Sequence, residues 1–200
     1  MNKKGLLIVM SGPSGTGKGT VCEELKKDDS IFVSVSMTSR NIRENEIDGV
    51  TYYYTTPENF ENMINSGKML EWAQYNGNYY GTPREAVEKM LYDGKNVLLE
   101  IEVQGALQIK KNFPEAILIF VVPPSIEVLR KRLVERGRES IEEIENRIET
   151  AKWEITKADE YNYIVVNDDL TECVNDVFDI IKAEGHKTER NKQLIDNLKF

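Results

Sequence analysis

Gly12-Pro13-Ser14-Gly15-Thr16-Gly17-Lys18 is a run whose composition and spacing can hold a phosphate. Its glycines let the backbone curl until several N–H groups converge on one anion. A helix opening directly behind the run adds partial positive charge from its unpaired N–H groups. Lys18 has the length and charge to meet the β- and γ-phosphates of a nucleoside triphosphate. The next position departs from the usual pattern: it is Gly19, with Thr20 following. The hydroxyl that ordinarily ligates magnesium is therefore displaced by one residue. Two residues stand as candidates for the metal: Thr20, acting through water, and Glu100, near the end of a later apolar run. Glu100 has a second reading as a strand-end carboxylate in solvent.

Such a loop needs a strand before it and a helix behind it. Residues 6–10 (LLIVM), 96–101 (NVLLEI), 116–122 (AILIFVV) and 163–166 (YIVV) are short, rich in β-branched residues and almost uncharged. Continuous apolar runs of this kind suit strands covered on both faces, as in a parallel sheet. Residues 31–36 (IFVSVS) make a plausible fifth strand. Helical segments lie between them. Ser125 starts one, and Ser140 with Glu143 forms a capping box ahead of a long helix running toward Tyr161. A last amphipathic helix covers 170–184. The alternation predicts an α/β sandwich of the P-loop NTPase type, a parallel sheet flanked by helices with right-handed crossovers.

Residues 36–84 break the alternation. They are aromatic, polar and turn-rich, and Tyr52, Tyr53, Tyr54, Tyr75, Tyr79 and Tyr80 make six of the nine tyrosines. Thr56-Pro57 starts a short helix and Thr82-Pro83 with Glu85 another, each with proline at the first helical position. The stretch reads as a small insertion with short strands of its own, on the carboxyl edge of the sheet. The tail, 186–200, is polar and expected to be loosely held.

Composition narrows the chemistry. With 26 Lys+Arg against 34 Asp+Glu the net charge is -8, which argues against a protein that coats nucleic acid. No apolar run approaches the ~18 residues of a membrane span, and the first ten residues lack the apolar stretch of a signal peptide. Cys22 and Cys173 are far apart with no CxxC pattern, implying neither a disulfide framework nor a zinc site. The chain reads as reduced and cytoplasmic, with Cys22 an inert helix residue. Its single histidine, His186, lies near the C-terminus, which disfavours a histidine base in a central pocket. Seven of the nine arginines fall in two segments, Arg40/Arg43 and residues 130–147, so positive charge is concentrated in two places.

Several spaced motifs together resemble the guanylate kinase family. They are Ser36-Met37-Thr38-Ser39-Arg40-Asn41-Ile42-Arg43, Gly49-Val50-Thr51-Tyr52, Glu71-Trp72-Ala73-Gln74-Tyr75, Gly77-Asn78-Tyr79-Tyr80-Gly81-Thr82, Glu100-Ile101-Glu102-Val103-Gln104-Gly105, Arg132-Leu133, Arg136-Gly137 and Val166-Asn167-Asp168-Asp169-Leu170. The match covers residues 5 to 184. It implies ATP-dependent phosphorylation of GMP to GDP with Mg²⁺. It also implies a core of about 1–35, 85–130 and 155–200, a GMP-binding insertion of about 36–84 and a lid of about 130–155. By resemblance, Arg40, Arg43, Tyr52 and Tyr80 hold the GMP phosphate, while Ser36, Glu71, Thr82 and Glu102 read guanine. Arg132, Arg136 and Arg147 meet the transferring phosphates with Lys18 and Arg43, and Asn167 lies beside the ATP base. Glu102 departs from the family pattern, which commonly holds aspartate there. GMP and ATP are then the partners, with dGMP a further acceptor, no nucleic acid or membrane, and a monomer or homodimer.

The residue types support that chemistry independently. Guanine presents two adjacent donors beside its O6 acceptor. One carboxylate such as Glu71 can accept both, while the hydroxyls of Ser36 and Thr82 can donate to O6. Adenine lacks the donor pair and leaves the carboxylate unpaired, a mismatch that polar sites reject by about 10⁴-fold or more. The acceptor is a phosphate oxygen whose second pKa is about 6, so no general base is needed. Catalysis then rests on alignment and positive charge. Tyr53, Tyr54 and Tyr79 read as packing, and Arg130 and Arg138 as partners of nearby glutamates. Gly137 suits a hinge. A catalytically retired protein-binding module, a sugar-bisphosphate kinase and an adenylate-type kinase are the competing readings. The intact loop disfavours the first, and the Ser36–Glu71–Thr82 set disfavours the other two.

Overall fold

The computed structural model describes residues 4–75, 77–137 and 140–199. In chain order the elements are β1 (Leu7–Ser11), α1 (Lys18–Leu25), β2 (Ile31–Val33), β3 (Met37–Thr38), β4 (Tyr53–Tyr54), α2 (Pro57–Asn65), β5 (Met69–Tyr75), β6 (Asn78–Pro83), α3 (Arg84–Tyr92), β7 (Asn96–Glu100), α4 (Val103–Asn112), β8 (Ile117–Val122), α5 (Ile126–Arg136), α6 (Ile141–Ile155), β9 (Tyr163–Val166), α7 (Leu170–Gly185) and α8 (Lys192–Asp196).

The apolar runs form one parallel five-stranded sheet, ordered β2-β7-β1-β8-β9. Every residue of β1 is buried because helices cover both faces. Ile8 and Met10 pack with Val21 and Leu25 of α1 and with Cys173 and Val177 of α7. Leu7 and Val9 point the other way, into Val87 and Leu91 of α3 and Ala106 and Ile109 of α4. Burying each large apolar side chain contributes about 1.5–3 kcal/mol, which keeps β1 rigid in the centre of the sheet. The loop that leaves its carboxyl end is therefore mounted on the best-packed strand, where open α/β sheets present their ligands.

Residues 37–83 supply a second, four-stranded sheet, ordered β4-β3-β6-β5. Its β3–β4 pair is parallel, and β3–β6 and β5–β6 are antiparallel. Its α2 begins as the sequence predicts, with the Thr56 hydroxyl accepting from Asn59 N–H and Pro57 in the first turn. The second predicted proline start is corrected. Pro83 is the cap residue that ends β6, and α3 begins at Arg84. Thr82 is held in the ladder opposite Glu71 and donates its hydroxyl proton there, so it is not available as a cap.

Two further boundaries differ. β2 stops at Val33, although Ser34 N–H still reaches the Leu98 carbonyl at 2.9 Å, and residues 34–36 leave the sheet. The capping box of Ser140 and Glu143 is present, but α6 ends at Ile155 and a short 3-10 turn, Ala158–Glu160, follows. The start of the tail is tied down. Lys187 pairs with buried Glu184 at 2.6 Å, and Arg190 donates to the Glu115 carbonyl at 2.8 Å. No helix among the described residues is long and apolar enough to cross a membrane.

Candidate active site

Lys18 is the first residue of α1, and Gly17 before it has φ 89, in the left-handed region. A Cβ at Gly17 would sit 2.5 Å from Asn167 Nδ2, so conformation and space both require glycine there. Asn167, just past β9, is buried and donates from Nδ2 to the Thr16 carbonyl at 2.7 Å. Its amide thus braces the phosphate loop. Lys18 Nζ folds back over the loop, donating to the Gly12 and Pro13 carbonyls at 2.5 and 2.9 Å. Burial lowers its pKa, opposed by the carboxylates of Glu100 and Glu154. The ammonium is thereby pre-placed at the centre of the cradle.

Two cavities flank the loop. The larger, about 1040 Å³, is lined by Gly12, Ser14, Lys18, Gly19, Ser36, Tyr52, Glu100 and Glu102, together with Glu154 of α6. The smaller, about 420 Å³, is lined by Gly15, Gly17, Thr20, Arg132, Arg136 and Asn167. Pro13 and Thr16 are buried between. Arg132 and Arg136 thus face the smaller cavity from α5. Arg147 of α6 donates from Nη1 to Ser14 Oγ at 2.7 Å, on the side of the larger one. The two metal candidates are not brought together: Thr20 faces the smaller cavity and Glu100 the larger.

Glu100, at the end of β7, carries both carboxylate oxygens 3.8 Å from where a Gly19 side chain would begin. Any side chain at Gly19 would fill this space between carboxylate and loop. No group of three or more His, Cys, Asp or Glu among the described residues is assembled to hold a metal alone. One hard oxygen ligand beside a phosphate cradle suits Mg²⁺, which keeps several waters and takes few protein ligands.

On the second sheet, Arg40 forms a two-point pair with Glu46 at 3.0 and 2.8 Å and also donates to the Asn41 carbonyl at 2.8 Å. Three of its five N–H donors are used in these contacts. The Arg40 guanidinium lies 5.6 Å from the Tyr52 ring and 5.8 Å from that of Tyr54. The Tyr52 and Tyr80 rings meet edge to face at 6.1 Å. Arg40, Tyr52 and Tyr80 are therefore one cluster. Arg43 stands apart, exposed, with its main-chain N–H on Glu46 at 2.8 Å.

Glu71 of β5 is buried, at 4% exposure, and accepts from the Thr82 hydroxyl at 2.7 Å. Burial pushes its carboxyl up to about 7, with the Thr82 hydrogen bond opposing and the charge of Glu102 adding to the rise. Thr82 has only one O–H to donate. Here it donates to Glu71 and orients that carboxylate. Glu102, exposed, sits at the cap position of α4 without capping it through its side chain.

Five residues of the neighbourhood escape sequence reasoning. Glu46 holds Arg40, and Tyr54, read as packing, donates to Glu46 at 2.8 Å. Gly105 and Gln108 of α4 abut β5, and Glu154 lines the larger cavity. The available signal was weak: an acidic residue a few positions after two arginines. Other readings hold. Tyr79 stacks on Phe60 at 5.3 Å, and Arg130 pairs with Glu145. Arg138 lies outside the described residues. Cys22 is buried, and burial beside Glu100 raises its thiol pKa.

A glycine-rich cradle between a central parallel strand and a helix, faced by a second sheet with buried polar groups, defines a P-loop nucleotide-binding protein. The family model for guanylate kinase matches residues 4–184. A guanylate kinase of Oceanobacillus iheyensis is 51% identical over 95% of this chain and 93% of its own length. One from Bacillus subtilis is 50% identical over 95% and 94%. The crystal structure of guanylate kinase from Anaplasma phagocytophilum superposes with TM-score 0.78 at 33% identity, covering 94% of this chain and 90% of that one. The chain belongs to the guanylate kinase family.

Proposed function

We propose that this chain transfers the γ-phosphoryl group of ATP to GMP, giving ADP and GDP, and that the residues assembled above carry the reaction. The observation that carries the reading is Glu71: a buried carboxylate oriented by Thr82, coupled to Glu102 of the cavity that also opens on Lys18. Ionised Glu71 accepts from the two adjacent guanine donors, and Ser36 in the same cavity supplies a hydroxyl for O6. Arg40, Tyr52 and Tyr80 hold the GMP phosphate, with Arg43 joining when the acceptor is bound. The smaller cavity, beside Asn167, receives the adenosine side of ATP.

An oxygen of the GMP phosphate attacks the γ-phosphorus while the bond to the β-bridging oxygen breaks and ADP leaves. The attacking oxygen is largely ionised at neutral pH, so no side chain removes a proton. Lys18, Arg132, Arg136 and Arg147 compensate the negative charge and align the groups. Glu100, through water, is the residue that would hold Mg²⁺; the ion, when bound, neutralises phosphate charge.

The proposed core is 1–35, 85–130 and 155–200, with an acceptor-binding insertion at 36–84 and a lid at 130–155. The separate second sheet supports the insertion. The separate apolar cluster of Leu129, Leu133, Ile144, Ile148 and Ala151 supports the lid. dGMP, which carries the same base and phosphate, is a second acceptor. The chain works as a monomer or a homodimer. Two buried, unpaired cysteines support a cytoplasmic location. Chromatography of a reaction containing ATP and GMP tests the proposal: ADP and GDP form in equal amounts. ADP without GDP would show hydrolysis and overturn it.

A further inference from the structure

β5 is the outer strand of the second sheet, and its far edge lies against α4 rather than another strand. An outer strand leaves main-chain N–H and C=O groups without ladder partners. At Trp72 both are taken by one side chain. Gln108 Oε1 accepts from Trp72 N–H at 3.2 Å, and Gln108 Nε2 donates to the Trp72 carbonyl at 2.7 Å. The primary amide thus stands in for the peptide group of a further strand.

The residue before Trp72 is Glu71. One turn earlier on α4, Gly105 lies so close beneath its carboxylate that a Cβ there would meet Glu71 Oε2 at 2.3 Å. The ladder itself is irregular here, its register shifting between Met69 and Glu71, so strand pairing alone does not fix this segment. Thr82 holds Oε1 from β6, Gly105 admits the carboxylate from below, and Gln108 fixes the adjoining main chain. No other side-chain amide of α4 reaches β5 among the described hydrogen bonds.

We propose that Gln108 is a positioning residue for base recognition, pinning the main chain at Trp72 so that the Glu71 carboxylate is held ready for the paired donors of guanine. The proposal rests on the reading of Glu71 given above. Gln108 touches no substrate. Its removal loosens one strand edge and lets water reach Glu71, leaving the phosphate loop and its arginines alone.

Steady-state kinetics of Gln108→Ala test this, with GMP and ATP varied separately and the GMP series repeated across pH. The KM for GMP rises about tenfold, whereas kcat and the KM for ATP stay within about twofold. The pH midpoint of the GMP KM, referenced to Glu71→Gln to remove the titration of GMP itself, moves below that of the parent. An unchanged GMP KM and midpoint overturns the proposal, and so does an equal loss in both substrates. If the alanine variant does not fold, Gln108→Glu serves. It keeps the acceptor for Trp72 N–H but cannot donate to the carbonyl, and the same rise in the KM for GMP is required. Glu71→Gln separates the two levels. If it leaves the GMP KM unaltered, the reading of Glu71 fails. If it raises that KM while Gln108→Ala does not, only the role of Gln108 fails.

Discussion

Arg147 Nη1 donates to Ser14 Oγ at 2.7 Å, joining α6 to the phosphate loop across 133 positions of sequence. The helix that carries this arginine is anchored by its capping box at one end and by buried Ile144, Ile148 and Ala151 along its inner face. A cation is thereby stationed at the mouth of the larger cavity before any nucleotide arrives, reducing the reorganisation needed during phosphoryl transfer.

Arg147→Ala lowers kcat by about 10²–10³ with a smaller effect on either KM, because the charge acts chiefly on the transferring group. Single-turnover measurement of GDP formation checks this. A variant whose kcat is unchanged would remove Arg147 from the catalytic set.

Lys18→Ala lowers turnover by a comparable or larger factor, about 10³, and leaves the fold intact. Among the described hydrogen bonds its side chain donates to loop carbonyls, and burial already disfavours its charge. Thermal denaturation beside the kinetics separates the two effects. Near-normal kcat would contradict the assigned role.

Glu71 titrates at about 7 in the folded chain, raised by burial. An ordinary glutamate in the unfolded chain titrates near ~4.3. Between these values the unfolded state has lost a proton that the folded state keeps, so this group's contribution to stability falls as pH rises and levels off above about 7. Glu71→Gln removes that penalty, and its stability relative to the parent increases from pH 5 to 8 by up to about 3 kcal/mol. Binding runs the other way. The paired guanine donors need the ionised carboxylate, so the KM for GMP falls about tenfold between pH 6 and 8 in the parent. Glu71→Gln flattens that part of the profile. Urea titrations and GMP kinetics at matched pH values check both signs.

The phosphate loop was legible because its chemistry is local: glycines, a lysine, a strand before and a helix behind all lie within a short window. The five parallel strands were legible as well, since each is a short, almost uncharged run of β-branched and apolar residues, with β1 and β8 covered on both faces although β9 leaves Ile164 and Val166 exposed. What local pattern did not carry was pairing across the fold. Glu46 looks like one more surface acid until the chain turns it back onto Arg40. Gly105 looks like an ordinary helix residue until Glu71 is seen packed against it. Pro83 has the signature of a helix start, but the β5–β6 ladder claims Thr82 first. Thr20 lies two positions after Lys18 along the chain, but α1 turns it toward the other cavity from Glu100.

The proposed reaction needs a guanine-reading carboxylate and a phosphate cradle to serve one transfer. Initial rates with ATP as donor and GMP, dGMP, AMP, CMP or UMP as acceptor test it in a single coupled assay. Transfer is expected to GMP and dGMP, with kcat/KM for AMP lower by about 10⁴. A preference for AMP, or no transfer to any of the five, would contradict it.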